Sequence, residues 1–199
     1  MSEPAQTTVG EIIERYDGFL IDAYGVLVHT QGAFPGARQF IERLRSSGKP
    51  FCVITNDASR LPSSCARKYR RDGIDIDDEQ VITSASLLVP YLRSEQLDAC
   101  AVAVLGPDES REYIRQSNAR LVDPRRDDFD ALVICDESGY DFVATIAEVL
   151  TRLLRRIDRC QPPALLLPNP DLIYQRSASE YGITSGSVAA MLEAILASR

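Results

Sequence analysis

Phe19-Leu20-Ile21-Asp22-Ala23-Tyr24-Gly25-Val26-Leu27 is the stretch whose reading decides the fold. Three consecutive apolar residues read as a buried strand, an acid follows at once, and a glycine stands three positions later. A carboxylate so placed sits at the carboxyl end of a buried strand, where open α/β sheets put their chemistry. Gly25 permits a sharp turn after the strand, so that Asp22 can project into a crevice and act as a nucleophile through a covalent aspartyl intermediate. A strand-end Asp that only caps the next turn reads the same way locally. The surrounding chain has to decide.

Outward from this stretch, apolar strands and amphipathic helices alternate. Met1 to Thr8 reads as a loose polar lead, and Val9, Ile12, Ile13 and Tyr16 have helical spacing just before the first strand. After a loop through His29, Gly32 and Phe34-Pro35-Gly36, the segment Ala37 to Ser46 puts Phe40, Ile41 and Leu44 on one helix face, with Gly48 as its stop. Phe51-Cys52-Val53-Ile54 is a second buried strand, ending in Thr55-Asn56-Asp57. Hydroxyl and amide groups at a strand end are the donors a phosphoryl oxygen needs, and Asn56, Asp57 or Ser59 equally suits a helix N-cap.

A helix through Cys65 to Arg71, a short strand Val81-Ile82-Thr83 and a helix containing Leu87 to Leu92, capped by Ser84 or Ser86, come next. Ala101 to Leu105 and Ala131 to Cys135 are further buried strands, separated by a helical pattern over Glu109 to Gln116 and a charged loop over Asp123 to Asp130. Phe142 to Ile157 is a long amphipathic helix with Ile146, Val149, Leu150, Leu153, Leu154 and Ile157 on its apolar face. Ala164 to Leu167 is one more strand, running into Pro168-Asn169-Pro170-Asp171, and Ser187 is expected to cap a final helix over Val188 to Ala197. The alternation predicts an α/β protein with mainly parallel strands.

Composition narrows the function classes. A formal charge of -7 argues against nucleic acid as the main partner, because phosphate contacts need a basic face. No apolar run approaches a membrane span, and the five cysteines lack metal-ligand spacing, which fits a reducing cytoplasm and not a zinc site. Three weaker signals have bland readings beside the functional ones: His29 as a proton shuttle, Asp136-Glu137 as an acid pair, and Gly182 to Ser187 as a phosphate loop or a simple connection.

Two stretches resemble one family. Asp22-Ala23-Tyr24-Gly25-Val26-Leu27 is similar to the first motif of the haloacid-dehalogenase-like (HAD) hydrolases, and Ile54-Thr55-Asn56-Asp57-Ala58-Ser59-Arg60 to their second motif in its class IIA, NagD-like phosphatase form. Gly32, Pro35-Gly36-Ala37, Gly48-Lys49-Pro50 and Asn169-Pro170-Asp171 stand where that subgroup has similar residues, so the resemblance runs from about Gly18 to Ala197. It implies a Rossmann-like core over residues 1–84 plus 164–199 with a mainly parallel sheet, and an inserted α/β cap of the C2 type over 85–163. It further implies Asp22 as nucleophile, Tyr24 in the neighbouring catalytic position, and Thr55 and Asn56 on the transferring phosphoryl group. Gly25, Asp57, Asn169 and Asp171 would lie around a small phosphorylated metabolite. Mg2+ would be held by Asp22 and the backbone carbonyl of Tyr24.

The chain also departs from that pattern. Phosphatases of the family carry a second aspartate where this sequence has Tyr24, and a phenol with a reference pKa of about 10 is a poor base at pH 7. Val26 replaces the usual threonine, and Asp-Ala-Tyr-Gly also resembles the 2-haloacid dehalogenases, which attack carbon without a metal. The family's lysine and acidic metal motifs would follow beyond Arg199, and Lys49 and Lys68 stand elsewhere. The expectations are therefore impaired phosphate-ester hydrolysis or, alternatively, a non-catalytic binding or interaction protein or a 2-haloacid dehalogenase-like enzyme. The chain would be a fragment of a longer one or a form that covers an exposed sheet edge as a homo-oligomer.

Overall fold

A computed structural model describes residues 7–177 and 179–198; Met1 to Gln6 of the expected polar lead lie outside the described residues. Contacts divide the chain into two units. One holds the residues up to Thr55 together with Pro62–Ile82, the other Asn56–Leu61 and the residues from Thr83 onward.

In the first unit, α1 (Val9–Arg15) opens on a capping box: the Glu11 amide donates to Thr8 Oγ1 at 3.2 Å and the Thr8 amide to Glu11 Oε2 at 2.7 Å. At the other end the Lys49 ammonium donates to the carbonyls of Ile13 and Tyr16, both at 2.5 Å, and of Glu14 at 3.3 Å. A cation there satisfies carbonyls that a helix end leaves without partners. Then come β1 (Phe19–Asp22), β2 (Val28–His29), β3 (Gly32–Ala33), α2 (Ala37–Ser47), β4 (Phe51–Thr55), α3 (Pro62–Arg71) and β5 (Val81–Thr83).

The sheet order is β1-β4-β5, with β1 and β4 parallel and in register from Phe19 opposite Phe51 to Asp22 opposite Ile54. Side chains alternate across it. Ile21, Phe51, Val53 and Val81 pack with Ile41 and Leu44 of α2 and Tyr69 of α3. The other face carries Leu20, 71% exposed, with Ile54 and Ile82 also open. The segment read as a loop after Leu27 instead contains a short antiparallel hairpin of β2 and β3. Two-residue strands leave too short a pattern for periodicity to show.

The second unit contains α4 (Leu88–Ser94), β6 (Ala101–Leu105), α5 (Asp108–Arg115), β7 (Arg120–Val122), β8 (Ala131–Ile134), α6 (Phe142–Asp158), β9 (Ala164–Leu166), β10 (Ile173–Gln175), β11 (Tyr181–Ile183) and α7 (Ser185–Ala197). Its main sheet, β7-β6-β8-β9, is parallel throughout. Every residue of β6 and β8 is buried, as a parallel sheet covered on both faces requires. Ala103, Leu105, Leu132 and Ile134 pack with Ile146, Val149 and Leu153 of α6 and Val188 and Leu192 of α7. Val102, Val104 and Val133 pack the other way, with Leu88 and Leu92 of α4 and Tyr113 and Ile114 of α5. The result is a three-layer α/β unit. Residues 164–199, which the resemblance assigns to the core, supply β9 to this sheet and α7 to this apolar layer.

Several element edges differ from the sequence reading. The final helix starts at Ser185 with Thr184 at its N-cap, not after a Ser187 cap, because the Ser187 hydroxyl is spent on the carbonyl of Leu172. Thr83, and neither Ser84 nor Ser86, caps the 3-10 turn Ser84–Leu87 that precedes α4. On α6, Thr145 is buried whereas Ile157 is exposed.

Two stability outcomes follow from the first unit. Lys49→Met leaves the α1 carbonyls unpaired and should cost about 1.5–3 kcal/mol, the range of hydrogen bonds to charged groups. Leu44→Ala, at a side chain with no exposure, should cost about 2–5 kcal/mol. Chemical denaturation midpoints at constant slope read both.

Candidate active site

The parallel register of β1 and β4 brings both strands to an end at the same edge of the first unit's sheet. The Ala23 amide continues the ladder by donating to Ile54 O at 3.0 Å. Beyond it the chain reverses: the amides of Leu27 and Val28 both donate to Ala23 O, and the Gly25 amide donates to Val28 O at 2.9 Å. Gly25 holds φ 88°, a conformation that glycine adopts without cost. Ala23, Leu27 and Val28 are buried and pin the loop, whereas Asp22 and Tyr24 are exposed. No hydrogen bond or ion pair of the Asp22 carboxylate is found among the described residues. Thr55 is the last residue of β4, so an unengaged carboxylate and a hydroxyl-bearing residue terminate neighbouring strands.

In the second unit, three further predicted residues meet. Asn56 Nδ2 donates to Asp171 Oδ2 at 3.0 Å across a sequence separation of 115, and the Asp171 amide donates to Asn169 Oδ1 at 3.0 Å. The segment they lie on is held by hydroxyls at the start of α7. The Thr184 hydroxyl donates to Asp171 O, Ser185 Oγ to Asn169 O at 2.9 Å, and the Gly186 amide to Asp171 O at 3.1 Å. The Ser84 hydroxyl donates to Asn56 O at 2.9 Å.

These anchoring hydroxyls were not singled out from sequence. Ser84 reads there as a helix cap, Gly182 to Ser187 as a phosphate loop or a simple connection, and Ser187 as the cap of the final helix. The signal that finds them is the pairing of two small-polar clusters around β10 and β11.

The remaining candidates have structural occupations. Asp57 accepts from the Ser59 amide at 2.8 Å and the Ser59 hydroxyl at 2.7 Å, and pairs with Arg60 at 2.7 Å. His29 Nδ1 accepts from the Gln31 amide at 3.1 Å, and its ring packs on Phe34 with centroids 4.6 Å apart. Asp136 accepts from both the amide and the hydroxyl of Ser138, an Asx turn. Burial raises the neighbouring Glu137 carboxyl above its ordinary value. Burial also pushes the Cys135 thiol up to about 12, which removes it as a thiolate nucleophile. All five cysteines are free, and no group of three or more His, Cys, Asp or Glu residues that could hold a metal is found among the described residues.

Residues 19–120 match the family model of the haloacid dehalogenase-like hydrolases. Over 137 residues, 68% of this chain and 52% of the relative, the sequence is 29% identical to an acid sugar phosphatase of Staphylococcus haemolyticus. The chain thus spans about half the length of the curated relatives it matches. Among solved structures, a possible sugar phosphatase of the HAD superfamily from Cytophaga hutchinsonii superposes with a TM-score of 0.83 at 26% identity, covering 96% of this chain and 67% of that one. NagD from Escherichia coli shares the fold, with a TM-score of 0.71 at 20% identity over 90% of this chain and 65% of its own.

Gly186 tests the anchoring of the Asn169–Asp171 segment. A Cβ there would collide with the carbonyl oxygens of Pro170 and Asp171. Gly186→Ala should therefore cost about 1–3 kcal/mol, as overpacking does. It should also speed amide exchange at Asp171 and Thr184, which exchange measured by NMR reads directly.

Proposed function

Because the chain belongs to the haloacid dehalogenase-like hydrolases, we propose that it hydrolyses small phosphate monoesters, with a phosphorylated sugar as the first substrate class to try. The observation that carries the reading is the unengaged Asp22 carboxylate at the end of β1, beside the hydroxyl-bearing end of β4 at Thr55. The acid sugar phosphatase relative and the HAD sugar phosphatase neighbour support the substrate class. Asp22 attacks the phosphorus in line, a P–O bond to the carboxylate forms, and the bond to the ester oxygen breaks. Water then attacks the aspartyl phosphate, releasing phosphate and restoring the carboxylate. The Thr55 hydroxyl and Asn56 amide donate to the phosphoryl oxygens. Gly25 keeps the strand-end loop close, and Asn169 and Asp171 order the segment that holds Asn56.

The residues present fit Mg2+ in part. One carboxylate, Asp22, and one backbone carbonyl, that of Tyr24, suit an ion that takes one or two carboxylates together with substrate phosphate oxygens and waters. When bound, such an ion neutralises charge on the phosphoryl oxygens. Asp57, occupied by Ser59 and Arg60, acts in this reading by shaping the turn after Asn56. The division into a C2-type cap of 85–163 and a core of 1–84 plus 164–199 draws support from the strands β6, β7 and β8 and the helices α4 to α6 that 85–163 contains, whereas β9 and α7, from 164–199, join that same sheet and apolar layer.

Tyr24 limits the rate. The leaving oxygen needs a proton and the attacking water must lose one, and at this position the chain has a tyrosine where a carboxylate would carry that proton. A chain that keeps phosphoryl binding but not turnover is the second reading, favoured by Tyr24 itself.

A cytoplasmic setting is supported by five free cysteines, and among the described residues no helix is long and apolar enough to cross a membrane. Self-association through the edge strand β1 is supported by the exposure of Leu20 and the open Ile54 and Ile82 beside it.

Hydrolysis of 4-nitrophenyl phosphate with Mg2+ tests the reading. Slow turnover is expected from the wild type, loss of it from Asp22→Asn, and a gain of about 10²-fold or more in kcat from Tyr24→Asp, the low end for a positioned acid/base. Turnover that survives Asp22→Asn would remove Asp22 as the nucleophile. For the edge strand, Leu20→Lys should shift light-scattering mass toward the monomer; an unchanged mass would reject association through β1.

A further inference from the structure

On the carboxyl side of the second unit's parallel sheet, β7 and the segments that follow β7 and β8 line an open cleft of about 460 Å³. That volume falls within the roughly 300–1,000 Å³ of small-molecule sites, and such sites favour the carboxyl ends of parallel strands. Leu121 and Tyr140 give it apolar walls, Arg111 and Arg125 bring positive charge, and Thr145 of α6 closes one side.

The charged groups lining it are not equally committed. Asp123 accepts from the Arg125 amide at 2.8 Å and pairs with Arg126 at 3.8 Å. Asp141 is the N-cap of α6, accepting from the Ala144 amide at 3.3 Å. Both acids therefore have local work. The Arg125 guanidinium has no partner among the described residues, and Arg111 has only long contacts, 3.8 Å to Asp108 and 3.5 Å to Gly139 O. The Tyr140 hydroxyl is already donated to Asp136 O at 3.2 Å, which leaves its ring as the surface on offer.

Thr145 supplies the independent observation. It is 1% exposed, and its hydroxyl is the buried side-chain polar atom found without a hydrogen-bond partner among the described residues. A buried hydroxyl without a partner is destabilising, and native proteins seldom keep one without a use for it. Thr145 lines the cavity, and a shift of the wall that covers its hydroxyl would let a ligand oxygen supply the missing acceptor. The N-terminus of α6, a 17-residue helix, adds a favourable field for negative charge at the same wall.

We propose that this cavity binds a small organic anion, its carboxylate or phosphoryl oxygens held by Arg125, Arg111 and the Thr145 hydroxyl and its apolar body lying against Leu121 and Tyr140. The proposal stands apart from the hydrolytic reading, since it uses none of the residues assigned to that chemistry.

Calorimetric titration of the full chain carrying Asp22→Asn, with benzoate, phenyl phosphate and inorganic phosphate as probes, tests it without turnover. One-to-one saturable binding is expected for benzoate or phenyl phosphate, and whichever binds tells a carboxylate site from a phosphate-ester site. Adding Arg125→Ala or Thr145→Val should weaken that binding tenfold or more. Thr145→Val should do so with Tm unchanged or raised, because it deletes a buried hydroxyl that lacks a partner. The proposal is overturned if neither organic probe saturates, if binding survives both substitutions, or if Thr145→Val lowers Tm, which marks a structural hydroxyl. Equal affinity for inorganic phosphate and phenyl phosphate would overturn the apolar half of the site. Hydrolysis that fails in the wild type while this binding holds would count against the phosphatase reading alone.

Discussion

The in-register parallel ladder between β1 and β4 is the constraint on which the first unit depends. Pairing Phe19 with Phe51 through to Asp22 with Ile54 fixes which side chains face the apolar layer and brings both strands to their ends together. A slip of β1 by one residue would turn Ile21 outward and Asp22 inward, burying a charge with no partner. The buried apolar residues thus hold an exposed carboxylate where it is. The single extra ladder bond from Ala23 to Ile54 then carries the chain into a turn that Gly25 allows. The exposed position of the Asp22 carboxylate is a by-product of packing below it.

In the second unit the comparable role falls to hydroxyls. The Asn169–Leu172 segment has little apolar surface of its own, so its backbone carbonyls take donors from Thr184, Ser185 and Ser187. Each of those residues opens or precedes α7, whose later turns are buried through Val188 and Leu192. The burial of a helix is in this way transmitted to a loop bearing Asn169 and Asp171, and through Asp171 to the Asn56 amide. Polar segments without a core of their own are ordered by hydrogen bonds to elements that have one.

Much of this was legible from sequence wherever burial leaves a mark. The runs Ala101–Leu105 and Ala131–Cys135 read as strands because both faces of a covered sheet demand apolar residues, and Phe51–Ile54 because it is a short apolar run ended by polar residues. The helices of the second unit read from their 3.6-residue stripes. β7 did not, because three residues beginning with Arg120 carry no pattern; it exists only because the edge of β6 offers a partner. The hairpins of β2–β3 and β10–β11 were missed for the same reason, being short and largely exposed. His29 and Lys49 also escape a local reading. A lone His and a lone Lys become a turn acceptor and a helix-end cation only through neighbours that folding supplies.

The sequence by itself determined the family, the α/β alternation and the identity of Asp22 as the strand-end acid, since all three rest on residue type and spacing along one stretch of chain. Only the tertiary structure decided which polar groups are already spent. Asp57 and Asp141 are held by local partners and Asn56 is tied to Asp171, while Asp22 and the Thr145 hydroxyl have no partner among the described residues. That distinction depends on distances between residues far apart in the chain, and no local pattern encodes them.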